Sequence, residues 1–413
     1  MQQENQNIYA EIDACRLCSS KDLHDVLDLG YQPPANSLRR SLKEFVPVAP
    51  LKLVRCGQCA SVQLTATVAP DYLFSQYVWV TATSATARIY SETFQIEVLT
   101  RSKLSSPFVV EVASNDGTFL KQFKHQGCQI LGIDPAQNIA VDASNAGIPT
   151  LAEFFDINVA KRILTEYSQP NIVMARNVIP HVKEIHSIVE GMAALVDSEG
   201  MVIIEFHYAQ TIANELHYDS IYHEHLFYFS VKSISALFAQ YGLYPFDVFS
   251  SPISGGSLVL FFSKQKKEYT QTLFDLIDIE KKSGLNEAQT WHQFGEESKQ
   301  HASNLKSIVE KYAKISPLIA YGASARSSTL MNFAGISNKE IEYVIDRNPI
   351  KHTLFTPGTN IKIISYEEGL KRLEGRHLLL LAWNFEEEVV ADLRASGFNG
   401  DIIVPLPYKV HIR

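Results

Sequence analysis

The sequence predicts an α/β protein of three units: a small cysteine-stapled N-terminal domain (1–75), a central doubly wound sheet with an antiparallel hairpin at its end (76–265), and a second, smaller α/β domain (266–413). Three observations predict it. Four of the five cysteines stand near the start in two C-x-x-C pairs, Cys15-Arg-Leu-Cys18 and Cys56-Gly-Gln-Cys59. Short apolar runs then alternate with amphipathic stretches, the pattern of a parallel sheet with crossover helices. A second alternation of the same kind follows a long polar helical region.

At 413 residues the chain exceeds one ordinary core. Its 46% hydrophobic and 20% charged residues are those of a soluble globular protein. A net charge of −8 lacks the basic excess of a nucleic-acid binder. No apolar run approaches the roughly 20 residues of a membrane span. The start, MQQENQNIYAEIDAC, has no apolar core of the kind a secretory signal needs. The expected compartment is the cytoplasm, where cysteines serve as reduced thiols, ligands or core filler.

The first 75 residues hold the turn-rich stretch LGYQPPANSL and show no helical period. So short a segment buries little apolar surface and needs a staple. Four thiolates in two knuckles form a closed tetrahedral zinc site with Zn–S bonds of about 2.3 Å. Cys15, Cys18, Cys56 and Cys59 are therefore the expected ligands of one structural Zn2+. A redox role suits them less, since neither pair lies at a strand-to-helix junction. Cys128 is expected in the core.

In the central region PFVVEVASNDGTFLKQF reads as a buried strand (Phe108–Val112), a polar turn and a helix. CQILGIDPA, NIVMARNV and GMVIIEFHY supply three more strands. YPFDVFSSP and GGSLVLFFS, joined by a short link without a helix, read as an antiparallel hairpin. That ending separates a methyltransferase sheet from a dinucleotide-binding one. Gly117 permits close backbone approach to a ligand in the turn that begins at Glu111. Asp134, ending the second strand, is placed to accept hydrogen bonds from ribose hydroxyls. The turn is acidic and lacks G-x-G-x-x-G, so it suits a cationic, phosphate-free adenosine ligand such as S-adenosyl-L-methionine better than a pyrophosphate.

In the last region Trp291, Phe294, Leu305, Ile308, Val309 and Tyr312 recur at helical spacing. PLIAYGASARSSTLMNF, IEYVIDRNP, RHLLLLAWNF and DIIVPLP then form the second sheet. The stretch from Tyr321 to Thr329 sets small residues, hydroxyls and Arg326 at a helix N-terminus, an arrangement suited to a diphosphate. A nicotinamide dinucleotide site is the competing reading, since Asp346 ends the next strand, but the glycine pattern is missing.

Together these residues resemble the three-domain sugar C-methyltransferases that build branched deoxysugars and carry an N-terminal zinc. The resemblance runs nearly end to end, through LDLGYQPPANSL, EVASNDGTFL, GIDPAQNIA, NVIPHV, YDSIYHEHLFYFS, ISGGSL, YGASARSSTLMNF, VIDRNP, TPGTNIKI and LLLLAWNF. It implies a zinc-binding domain, a central class I methyltransferase (Rossmann-like) sheet and a second Rossmann-like domain. It also implies methyl transfer from S-adenosylmethionine to C3 of a nucleotide-linked 4-keto-6-deoxysugar, for a branched-chain sugar of a surface polysaccharide or natural product. By motif, His225 would be the base, with Tyr222 and Glu224 beside the sugar and His181 and Tyr77 completing the pocket. Cofactor contacts would come from Glu111, Asn115, Asp116, Gly117, Asp134, Phe155 and Asn177. Substrate contacts would come from Tyr222, His223, Gly256, Ser257, Gly322, Ser324, Arg326, Asp346, Arg347 and Asn384. The chain departs from the family pattern at His207 (proline expected), at Ser324 and Arg326 (proline and lysine) and at Pro180 before His181. The nucleotide is therefore open between dTDP, the favoured one, and GDP or CDP. The chain is expected as a monomer or weak dimer with no nucleic-acid or membrane partner.

Chemistry favours proton transfer at SIYHEHLFYFS (220–230) over metal binding. A carbon beside a ketone is acidified because its carbanion delocalises onto the carbonyl oxygen. A histidine, titrating near about pH 6.5, is the natural base, with Glu224 to tune a neighbouring histidine and Tyr222 to donate to the oxyanion. In an extended segment Tyr222 and Glu224 share one face and His223 and His225 the other, unless a turn intervenes. H-E-H lacks the H-E-x-x-H spacing, so a metal completed by His181 or His207 is the lesser reading. His223 by itself reads as a core residue. The rival functions are a sugar O-methyltransferase and a nicotinamide-dependent nucleotide-sugar reductase.

Overall fold

The computed structural model describes residues 8–74, 81 and 85–413. Its central sheet is built from runs that are apolar on both faces. Phe108–Val112 is buried at every position and Ile172–Arg176 at all but its last, as expected where helices cover both sides of parallel strands. Seven strands lie in the order Tyr244–Ser251, Ser257–Ser263, Met201–His207, Ile172–Arg176, Phe108–Val112, Gln129–Ile133 and Thr150–Leu151. Ser257–Ser263 runs antiparallel to both of its neighbours, and the pairs from Met201–His207 to Thr150–Leu151 are parallel. The expected hairpin is thus present, with its return strand inserted inside the sheet and a short 3-10 turn, Ile253–Gly255, as its link. Helix Thr118–His125 buries Phe119, Leu120 and Phe123 against the sheet.

The N-terminal segment is a four-stranded sheet in the order Phe227–Tyr228, Val62–Leu64, Ala49–Cys56 and Leu23–Gln32, with a separate pair, Tyr9–Glu11 and Ala66–Val68. One of these strands comes from far along the chain. Phe227 and Tyr228 pair antiparallel with Gln63 and Val62, so the polar-aromatic stretch 220–230 leaves the central sheet and finishes on the cysteine-bearing one. Unpaired edge groups of Val62–Leu64 make that addition favourable.

The second α/β sheet has the order Lys362–Ile364, Ile341–Ile345, Leu318–Tyr321, Leu378–Leu380, Ile402–Val404 and His411–Ile412, parallel except for the last strand. It is preceded by helix Ala288–Ala313, which buries the expected Trp291, Phe294, Leu305 and Val309. Gly295 lies on the same face because a Cβ there would collide with the carbonyl oxygen of Val26. The helix therefore rests directly on strand Leu23–Gln32 and ties the last region to the first. No helix among the described residues is long and apolar enough to cross a membrane.

Candidate functional site

The four N-terminal thiols converge. Cys15 and Cys59 have their sulfurs 3.6 Å apart, as do Cys18 and Cys56, and all four lie within 4.8 Å of one another. Ligands at about 2.3 Å in a tetrahedron stand roughly 3.8 Å apart, so the donor set fits zinc with no open position. The two knuckles turn alike. Ser19 and Ala60 hold φ of 58° and 61°, and their amides donate to the carbonyls of Cys15 and Cys56. Gln63 supports the cluster from outside, donating Nε2 to Cys15 Sγ at 3.1 Å and accepting the Arg16 amide at 2.9 Å. The hydrogen bond between Cys59 and Cys15, with Gln63 adding to it against burial, pulls the Cys15 thiol down to about 4 and pushes the Cys59 thiol up, so the two share a proton that a metal would displace. Sequence reasoning placed the ligands but missed Gln63.

The turn after Phe108–Val112 forms the second centre. Ala113, Asn115 and Gly117 take φ of 55°, 51° and 72°, and a Cβ on Gly117 would stand 2.7 Å from Ile148. Asp134 is locked beside the turn, accepting the Asn115 amide at 2.8 Å and the Ala136 amide at 2.9 Å. Asn115 Oδ1 accepts from the amide of Thr81 at 2.9 Å, and Asp116 Oδ1 accepts the Thr118 amide at 3.1 Å. Burial raises the Asp134 carboxyl. Two carboxylates and three left-handed residues make a rim that fits a cationic, phosphate-free S-adenosylmethionine. Asn177, with φ of 51°, donates its amide to the Glu205 carbonyl at 2.7 Å, and Phe155 is half-buried against the core.

Glu111 sits below this rim, not in it. It is fully buried and accepts from Arg176 Nε at 2.8 Å, while Arg176 Nη1 reaches Glu205 at 3.2 Å. The guanidinium carbon stands 3.0 Å from the Phe119 ring centre, and the Ser251 hydroxyl donates to Glu205. Burial pushes Glu111 up to about 7 in spite of Arg176. The direct cofactor contact expected of Glu111 is thus replaced by a buried ion-pair network beneath the turn. Arg176 was legible only as a lone charge closing the apolar run NIVMAR.

A turn does intervene at Tyr222–His225. The His225 amide donates to the Tyr222 carbonyl at 2.8 Å, which brings the two side chains face to face in place of the extended alternation. Tyr222 Oη lies 2.7 Å from His225 Nε2, and His225 Nδ1 lies 3.1 Å from the Ser220 carbonyl. A carbonyl can only accept, so Nδ1 carries the ring proton and Nε2 accepts from the phenol. His181 meets His225 edge-on with ring centres 4.7 Å apart, and its buried Nδ1 has no partner among the described residues. Burial holds His225 well below the usual histidine range and takes His181 to about 4, so both rings are neutral. Glu224 is not the partner of a histidine side chain as expected, because its carboxylate accepts from Asn36 at 2.7 Å. His223 lies in the core with Nε2 3.2 Å from the Ala49 carbonyl, so the substrate contact implied for it gives way to the core reading. The turn is pinned on both sides, by Leu64 donating to Leu226 at 3.0 Å and Leu226 donating to Pro180 at 2.8 Å. Tyr77 lies outside the described residues.

At the second sheet Arg326 is already engaged. Its Nε and Nη2 hold the two oxygens of buried Asp219 at 3.0 and 2.8 Å. Trp383 donates to the same carboxylate at 2.8 Å and lies 4.7 Å from the guanidinium. The arginine expected to hold a diphosphate is therefore engaged internally, with two residues that the sequence did not flag. Ser324 caps helix Ala325–Ala334 by accepting the Ser327 amide at 3.2 Å. Gly322 has φ of 101°, and a Cβ there would stand 2.7 Å from Ala382. Asp346 accepts the amides of Ala323 at 2.9 Å and Asn348 at 2.8 Å, with Lys351 at 3.3 Å. Gly322, Ser324, Arg326 and Asp346 thus gather at the strand ends, while Arg347 and Asn384 are exposed. Gly256 has φ of 129° beside Thr211, and Ser257 Oγ donates to the Ile253 carbonyl at 3.0 Å.

Comparison with known proteins matches each region in turn. Residues 15–74 match a family described as a zinc binding domain, 92–247 a methyltransferase domain, and 252–407 a C-methyltransferase C-terminal domain. The C-methyltransferase NovU of Streptomyces niveus is 29% identical over 409 residues, 97% of each chain. Among solved structures, the PH0226 protein of Pyrococcus horikoshii is 12% identical with a TM-score of 0.38, covering 47% of this chain and 99% of that one. The magnesium protoporphyrin IX methyltransferase of Synechocystis with bound S-adenosylmethionine is 11% identical with a TM-score of 0.33, over 42% of this chain and 78% of that one.

Proposed function

This chain belongs to the three-domain, zinc-binding, S-adenosylmethionine-dependent C-methyltransferases, and from that premise we propose that it methylates C3 of a nucleotide-linked 4-keto-6-deoxysugar. The observation that carries the reading is the 2.7 Å hydrogen bond between Tyr222 and a neutral His225. Methylation of a carbon beside a ketone needs a neutral base for the C–H and a donor for the oxygen that becomes an enolate. The pair contains both. When the sugar enters, Tyr222 turns its O–H to the C4 oxygen, which frees His225 Nε2 to take the C3 proton. The C3–H electron pair moves into the C3–C4 bond as the carbonyl oxygen gains charge. Ser220 holds the imidazole in the tautomer that keeps Nε2 open.

S-adenosylmethionine, when bound, supplies an electrophilic methyl group on a sulfonium. The turn at 113–117 and Asp134 would hold it, with the Glu111–Arg176–Glu205 network stiffening the strands beneath. The division of labour is part of the proposal: 1–75 for zinc, 76–265 for the methyl donor and 266–413 for the nucleotide, with dTDP favoured over GDP or CDP. The product would serve a branched-chain sugar of a surface polysaccharide or natural product.

The test is incubation with S-adenosylmethionine and the 4-keto-6-deoxysugars of dTDP, GDP and CDP, followed by NMR of the product. A methyl signal on carbon at C3 supports the proposal. A methyl on oxygen, or no product from any of the three, overturns it.

A further inference from the structure

The carbonyl that fixes the tautomer of His225 belongs to Ser220, the last residue of the short 3-10 turn Tyr218–Ser220. Backbone bonds inside this stretch run from the amides of Ser220 and Ile221 to the carbonyls of His217 and Tyr218, and neither engages the Ser220 carbonyl. Its direction is therefore set by how the turn as a whole is held. Residues 218–221 are all buried, and the C-terminal region grips them on both sides of Ser220. Tyr218 Oη lies 3.0 Å from Nδ1 of His301 on helix Ala288–Ala313, and His301 Nε2 lies 2.8 Å from the Pro405 carbonyl. That carbonyl can only accept, so Nε2 holds the ring proton and Nδ1 accepts from the phenol. Asp219 is held by Arg326 and Trp383, and the Ile221 carbonyl accepts from the Thr329 hydroxyl at 2.8 Å. We propose, resting on the C-methyltransferase reading above, that Thr329 and His301 are positioning residues for the catalytic histidine. Through Ile221 and Tyr218 they fix the Ser220 carbonyl, and with it the tautomer that leaves His225 Nε2 to act as base.

The helix that carries Thr329 supports this role. Arg326, Thr329 and Phe333 lie on one stripe of helix Ala325–Ala334. Each meets the turn: Arg326 at Asp219, Thr329 at Ile221, and Phe333 against the Tyr218 ring with centres 5.6 Å apart. A helical threonine can turn its hydroxyl back to a carbonyl of its own helix. Thr329, which is buried, spends it on a distant segment instead. Burial holds His301 below the usual histidine range, so its ring carries one proton and the roles of its two nitrogens are fixed. In an imidazole the hydrogen bond made by one nitrogen decides the state of the other. If the Ser220 carbonyl swings away, Nδ1 of His225 loses its acceptor, and the proton can pass to Nε2. No lone pair is then left there for the C3–H. The base is thus set from the same helix whose N-terminal turn is read as the seat of the nucleotide.

Thr329→Val removes the hydroxyl at nearly constant volume, and Thr329→Ser restores it. The valine variant should lower kcat for C-methylation about tenfold, less than the ~10²–10⁴ expected on losing the base itself. KM for the sugar nucleotide and affinity for S-adenosylhomocysteine should not change, and the serine variant should regain wild-type kcat. Tyr218→Phe, which releases the turn from His301, should act in the same direction and keeps the test open if the valine variant does not fold. Nitrogen NMR of histidine-labelled protein, with His225→Asn to identify the signal, reads the tautomer without any sugar. It should show the Nδ1-protonated ring in wild type and a mixed population in Thr329→Val and Tyr218→Phe. Folded variants that keep the wild-type tautomer would overturn the assignment. So would a loss confined to KM, or a serine variant as slow as the valine one. Wild-type protein that methylates none of the dTDP, GDP and CDP sugars would overturn the reading beneath it, while the tautomer still decides the anchoring.

Discussion

Tyr222 and His225 hold each other in a closed pair: the phenol donates to Nε2 across 2.7 Å, while the Ser220 carbonyl takes the proton on Nδ1 at 3.1 Å. Each masks the other until a carbonyl substrate draws the phenol away. Base and oxyanion donor are therefore one unit, and their losses should not add.

His225→Asn should lose about 10²–10⁴ in kcat, the usual worth of a positioned base, with binding of S-adenosylhomocysteine intact. Tyr222→Phe should fall within the same range, and the double variant no further than the worse single. Wild type should also exchange the C3 hydrogen in heavy water with S-adenosylhomocysteine in place of the donor. Exchange at wild-type speed in His225→Asn would move the base elsewhere, with His181 next to it as the candidate.

Gln63 joins the zinc cluster to the catalytic turn. Its side chain donates to Cys15 Sγ, and its backbone pairs with Phe227. Losing an outer-shell hydrogen bond typically weakens metal binding about 10–100-fold. Gln63→Leu should release zinc to a chelator at correspondingly lower concentration, and activity should fall with the zinc. Cys56→Ser, which forfeits a site worth on the order of 10 kcal/mol in small domains, should give insoluble or zinc-free protein. Zinc retention in Gln63→Leu equal to wild type would show that the hydrogen bond is incidental.

Arg326→Ala should cost stability as well as nucleotide affinity. Side chains of Arg326 and Asp219 are 16% and 1% exposed, and among the described residues Trp383 alone would remain on the carboxylate. Breaking one side of a buried pair typically costs about 3–5 kcal/mol. A urea midpoint within error of wild type would contradict this. Replacing both partners, as Asp219→Asn with Arg326→Met, should cost less than Arg326→Ala alone.

The parts of this site that the sequence disclosed are those whose geometry is local. The C-x-x-C spacing makes each knuckle by itself, and the acidic turn with Gly117 lies between one strand and the helix that follows. Alternating runs disclosed both sheets because burial on two faces leaves an uninterrupted apolar mark. What escaped depends on partners far along the chain. Asp219 reads as an ordinary turn residue until Arg326 and Trp383 fold onto it. Glu111 reads as a ligand contact until Arg176 arrives from another strand. The face of His225 turned on a single hydrogen bond, its amide to the Tyr222 carbonyl, which periodicity cannot register.

Each buried neutral histidine should withdraw stability from the fold in acid. Burial takes His181 to about 4, His217 to about 3 and His223 to about 4, against an ordinary value of 6.5. Between pH 6.5 and 4 the unfolded chain binds protons at these sites that the folded chain refuses. The contribution of each such group must therefore fall as pH falls, by up to about 1.4 kcal/mol per pH unit. Glu111 works the other way, since burial pushes it up to about 7 from 4.5 and the folded state gains protons first. Asp134, Glu205, Glu215, Glu224 and Glu280 are raised as Glu111 is, and His207, His225 and His301 are lowered as these histidines are, so one histidine's contribution is read from a single-site variant and not from the total. Urea midpoints measured from pH 7.5 to 4.5 give the comparison. Protonation of the cysteines also releases zinc in acid, so the useful comparison is between wild type and His223→Leu, which share that loss. The variant should start lower, for want of the Ala49 contact, and fall less steeply. Parallel curves would mean that His223 takes up its proton without unfolding.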